Sequence, residues 1–192
     1  MRNAKLMLGI LAVLCCSGFA FGQMAMPATP AKTSGDGVNA VLNIAEAEFV
    51  GAADAMPEDK YSFAPTAGEF KGVRTFAQQV KHVAAVNYVF GGAILGEKPP
   101  IDPNEENGPE SIKSKADIMK FLKDSFAYLH KAVTSVNDKN QLDMLDLFGM
   151  KMSRVGVAAF STAHPFDHYG QMVEYLRMNG IIPPASRPQP GK

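Results

Sequence analysis

The stretch HPFDHYGQMVEYLRMNGIIPP, residues 164–184, decides how this chain of 192 residues is read. It places His164 and His168 four residues apart in a segment with helical character, and side chains at i and i+4 of a helix are neighbours about 5–6 Å apart at Cβ. Two imidazoles on one face can grip a single ion, because Zn–N bonds of about 2.0–2.1 Å fit between them. The same spacing also suits an ordinary polar helix face, and a third ligand elsewhere in the chain decides between the two. Pro165 lacks a backbone donor, crowds the preceding turn and biases His164 away from α geometry, so a kink or a fresh helix start is expected there. Gly180 supplies the C-terminal stop, with Pro183 and Pro184 beyond it.

Working outward, the last helix is expected to begin near Lys151 or Met152 and to run to Asn179. Three earlier segments share its period. From Val38, VNAVLNIAEAEFVGAADAM sets Val41, Ile44, Ala45, Glu48 and Ala52 at three- and four-residue steps and ends before Pro57. Residues 73–96 repeat the pattern with Val73, Phe76, Ala77, Val80, Val83, Ala84 and Val86, and Gly91, Gly92 and Gly96 weaken the end. Residues 114–136 carry Ile118, Phe121, Leu122, Phe126, Leu129 and Val133 on one face, with Ser114 as cap and Asp117 in the first turn. No strand-like alternation persists, so the expected fold class is all-α, a four-helix bundle. The acidic, proline-bearing connection EKPPIDPNEENGPES, residues 97–111, has no apolar period and reads as one long crossover, so consecutive helices need not be antiparallel neighbours. It lacks the ligand spacing and closing Glu of a calcium loop. Met119, Met144 and Met172 are expected to fill gaps in the core.

The chain start reads differently. Arg2 and Lys5 precede the apolar run LMLGILAVLCCSGFAF, which is too short to span a bilayer comfortably, and small residues follow. Residues 1–22 are therefore expected to be a secretory signal cleaved after Gly22, with Ala25 the alternative, and residues 23–37 a flexible leader. The domain then spans residues 38–187. Lipidation is disfavoured, because a small residue should precede the acylated cysteine, and Leu14 precedes Cys15 while Cys15 precedes Cys16. Both cysteines of the chain fall in the signal, so the mature protein has no disulfide, thiolate ligand or cysteine nucleophile. Nineteen basic and nineteen acidic residues cancel, and losing Arg2 and Lys5 leaves seventeen against nineteen, a net of −2. There is no basic stripe for nucleic acid, and no membrane association is expected after cleavage. The expected location is the periplasm or the extracellular space.

Two histidines remain. His130, near the end of the third helix beside Lys131, is placed as a cation favours near a helix terminus and reads as a boundary residue. His82 sits mid-helix in KHVAAVNY, residues 81–88, beside the small residues Ala84 and Ala85. A mid-helix histidine and an i, i+4 pair on another helix can converge in a bundle interior, where bundles build metal sites. Three imidazoles with an open position describe a catalytic rather than a closed structural site.

The KHVAAVNY helix and the block HPFDHYGQMVEYLRMNGIIPPASR together resemble the DinB-like superfamily of four-helix-bundle metalloproteins. The resemblance covers about Val38 to Arg187 and implies that His82, His164 and His168 hold a divalent metal ion. Zinc fits best, and nickel, iron or copper also suit imidazole. It implies a homodimer as well. Characterised relatives include mycothiol-dependent maleylpyruvate isomerase and bacillithiol transferases, and many others are grouped as metal-dependent hydrolases, so the fold leaves the reaction open. Asp167 and Glu174 are candidates for general acid/base or supporting roles and Tyr169 for hydrogen-bond donation, or all three are solvated helix-face residues. Gln171, one turn beyond His168, either orients a ligand or bonds a neighbouring helix. Because low-molecular-weight thiols are chiefly cytosolic, export ranks a metal-dependent hydrolase acting on a small molecule first. A non-catalytic metal-binding protein of the cell envelope comes second, and a thiol transferase third. Ligation through neutral imidazole predicts binding that weakens as pH falls through about 6.5.

Overall fold

A computed structural model describes residues 30–188; the expected signal, its cysteines and its cleavage sites lie outside the described residues. Four helices, α1 (Ser34–Ala55), α2 (Phe76–Leu95), α3 (Lys115–Thr134) and α4 (Arg154–Met178), surround one apolar core. Phe49, Phe76, Phe90 and Phe126 lie at its centre, each buried.

Helix α1 starts at Ser34, ahead of the expected Val38, because Thr33 and Asp36 form a reciprocal capping box at its N-terminus. The glycine in that first turn is a packing device. Gly35 donates to the Val136 carbonyl at 3.2 Å, and a Cβ there would stand 2.4 Å from that oxygen. Helix α2 opens on a second capping box, Thr75 with Gln78, runs through Gly91 and Gly92, and stops at Gly96 in the left-handed conformation. Helix α3 has the expected Ser114 cap. Helix α4 is continuous through Pro165, so the anticipated restart does not occur.

Each helix packs chiefly on two others, α2 on α3 and α4, and α1 on the same pair. Asn87 meets Ser125, and Gly91 lies against Tyr128 and Ala132, so α2 and α3 run parallel. Parallel neighbours need a connection that returns along the bundle, about 30 Å for a twenty-residue helix. Residues 96–114 make that return, which is why the acidic crossover is long. Helix α4 runs antiparallel to α2, as Phe90 against Phe160 and Ile94 against Arg154 show.

One element was not expected. Met144–Leu147 (β1) and Met150–Ser153 (β2) form an antiparallel hairpin before α4, paired Leu147 with Met150. Its two turn residues, Phe148 (φ 53°) and Gly149 (φ 77°), both have positive φ, as a type I′ turn requires. Met119 and Met172 are buried as expected, but Met144, carried on the hairpin, is 62% exposed.

Candidate metal centre

The antiparallel register of α2 and α4 brings His82 against His164 and His168. One nitrogen from each of the three rings lies within 4.8 Å of the others, and the ring centroids are 4.6–5.2 Å apart. No other His, Cys, Asp or Glu among the described residues joins the group.

The other faces of two rings are fixed. His82 Nδ1 lies 2.6 Å from the carbonyl oxygen of Glu106, in the crossover. His168 Nδ1 lies 2.6 Å from Gln79 Oε1. A carbonyl oxygen only accepts, so both Nδ1 atoms carry the proton and both Nε2 atoms present a lone pair. His164 Nε2 stands 3.3 Å from His82 Nε2, and His164 Nδ1 is buried without a partner. Two imidazoles presenting Nε2 lone pairs, each with its outward nitrogen hydrogen-bonded, beside a third ring whose nitrogen faces them are what a divalent ion needs, and the donor set fits one. Three nitrogens could hold it.

Electrostatics agree. Burial lowers the pKa of His164 to about 3, with His168, His82 and Arg74 adding to the fall. Burial likewise takes His168 to about 4, helped by His82 and opposed by Asp167. His82 is also lowered, first by burial, with the Glu106 carbonyl opposing. His164 and His168 therefore stay neutral well below pH 6.5 and His82 shifts in the same direction, so loss of ligation by protonation moves to lower pH than an unperturbed histidine implies.

A glutamine relay missed in the sequence supports His168. Gln79 Nε2 donates to Gln171 Oε1 at 2.9 Å, and Gln171 Nε2 donates to Asp167 Oδ2 at 3.3 Å. Gln79 lies one turn before His82, a spacing that could have marked it. Gln171 bonds the neighbouring helix, one of its two expected roles. Asp167 is exposed and reaches the histidines through the glutamines. Glu174 is exposed on α4, and Tyr169 is half-buried, its phenol raised by burial and then by Glu48 of α1. His130 stays outside the cluster, its Nδ1 2.5 Å from Asn39 Oδ1 and its Nε2 2.9 Å from Glu46 Oε2, both on α1.

The family model described as the DinB superfamily matches residues 42–172, two-thirds of the chain and all three histidines. The chain belongs to the DinB superfamily. Solved DinB-like structures share the fold. One from Bacillus cereus is 19% identical with a TM-score of 0.61, over 76% of this chain and 94% of its own. Another, from Bacillus subtilis, is 16% identical with a TM-score of 0.60, over 80% and 99%. No curated protein matches the sequence. In this DinB-superfamily chain a cavity of about 500 Å³ adjoins His82 and His164. The crossover and the hairpin both contribute to its wall. No helix among the described residues is long and apolar enough to cross a membrane.

Proposed function

We propose that the protein is an exported metal-dependent hydrolase acting on a small molecule, with His82, His164 and His168 holding a divalent ion, zinc by preference. The observation that carries this reading is three clustered imidazoles, two of which, His82 and His164, line a cavity, with no fourth ligating side chain among the described residues. A closed structural site would use four protein ligands. A storage site has no need of the cavity, which ranks the envelope metal-binding alternative lower.

An ion bound there supplies Lewis acidity and lowers the pKa of a water toward neutrality. The chain's own residues do the rest. Gln79 and the Glu106 carbonyl hold His168 and His82 in the tautomer that presents Nε2. Asp167 acts as a positioning residue, orienting Gln171 and through it Gln79. No proton transfer is assigned to Glu174 or Tyr169. Family resemblance alone supports a homodimer, and sedimentation velocity tests it; the apolar N-terminal run supports export, and the intact mass of the exported form tests that.

The deciding experiment is elemental analysis of protein from its native host, followed by turnover of ester and amide panels by the metal-loaded form. Stoichiometric metal with metal-dependent hydrolysis is expected. Hydrolysis that survives chelation, or turnover only with an added thiol, would overturn the reading.

A further inference from the structure

The cavity beside the histidines has a chemistry of its own. Val86, Val89 and Phe90 of α2, Phe160 of α4, Ile101 of the crossover and Phe148 of the hairpin give it apolar walls. The rings form a path to the metal centre. Phe90 lies 5.8 Å from His164, Phe160 5.4 Å from Phe90 and Phe148 6.4 Å from Phe90, all edge to face. The charged groups at the cavity are Arg74, Glu105 and Glu106, and Arg74 is engaged by Asn107 at 2.7 Å and Glu106 at 3.5 Å.

Phe148 is the residue least explained by folding. Bulky side chains at positive φ are uncommon, and type I′ turns favour Asn and Gly. The residue is 63% exposed, so the core does not require it. Backbone strain of this kind concentrates where a site needs a side chain in one place, and here that place is the cavity wall.

We propose that the substrate is an ester or amide whose acyl part is an aromatic ring or a compact branched hydrocarbon, with Phe148 as the specificity-determining residue. The inference rests on the hydrolytic reading. In the reaction, water oxygen forms the new bond to the acyl carbon and the acyl–oxygen or acyl–nitrogen bond breaks. One water proton goes to the leaving group and the other is released from the product acid.

The test uses the full mature protein loaded with zinc, titrated calorimetrically with acetohydroxamate and with 3-phenylpropanohydroxamate, which share a zinc-binding head. The phenyl compound should bind at least about tenfold tighter, the gain from burying one ring. Phe148→Gly should cut that ratio to about threefold or less with zinc stoichiometry unchanged, since glycine suits the turn. Equal affinity for the two compounds would overturn the substrate class while leaving the metal reading intact. If zinc does not bind, the metal reading fails. Saturation transfer from metal-free protein to the ring protons of 3-phenylpropanamide then decides the cavity alone. Transfer lost in Phe148→Gly supports the acyl pocket, and no transfer to the wild type overturns it.

Discussion

In the metal-free protein, stability should fall as pH drops from about 7.5 to about 5, and His164 should account for much of the fall. Burial holds His164 at about 3 and His168 at about 4. In the unfolded chain a histidine titrates near 6.5. The folded values lie below the unfolded one. Above about pH 6.5 both states are neutral and nothing is lost; below it the unfolded chain takes up protons that the fold refuses, and stability declines as pH falls toward the folded values. At about pH 5 each of the two favours unfolding by about 2 kcal/mol, from 1.36 kcal/mol per unit. The folded values barely enter this figure, because both already lie a unit or more lower. His164 is half-buried, so screening trims its share and the pair gives about 3 kcal/mol. His82 acts in the same direction. Urea unfolding in chelator, followed by far-UV circular dichroism, measures the effect in wild type and His164→Gln. The variant should lose about 1–2 kcal/mol less over the interval. Parallel curves for the two proteins would refute the account of a buried neutral cluster.

Alanine at His82, His164 or His168 should strip metal on dialysis, whereas His130→Ala should retain it; elemental analysis compares the four. His130→Ala should still cost about 1–2 kcal/mol in thermal unfolding, because its bonds to Asn39 and Glu46 tie α3 to α1. Gln79→Leu should keep the fold by circular dichroism but weaken metal binding about 10–100-fold in competition with a chelating dye, since His168 loses the acceptor that fixes its tautomer. Gly35→Ala should lower stability by about 1–3 kcal/mol in chemical unfolding, because its Cβ meets the Val136 carbonyl.

The helices were legible because each carries its own period and most carry side-chain caps. The start of α1 was hidden by SGDG, whose glycines look like linker until Val136 is known to lie against Gly35. The hairpin was invisible for a local reason. Its strands are four residues long and its turn is Phe-Gly, without the Asn or Asp that advertises a type I′ turn. Of the metal centre, the i, i+4 pair was plain and His82 followed from it by resemblance. The Glu106 carbonyl could not be read, since a backbone oxygen has no sequence signature. Gln79 depended on the register of α2 against α4, which no single helix encodes.

The parallel pairing of α2 with α3 bears on how the chain folds. Among its main helix packings no two consecutive helices lie antiparallel side by side, so no short helical hairpin is available as an early nucleus. Helices α1 and α2 meet chiefly through α3 and α4, and the sequence-adjacent pair that does pack must first close the crossover loop. Folding of this topology should be slower than that of an up-and-down bundle of equal length, because loop closure precedes the contacts that reward it. The last helix to be made completes both the α1 and the α2 interfaces and brings two of the three histidines. The three-histidine cluster thus comes into being only when the whole bundle does.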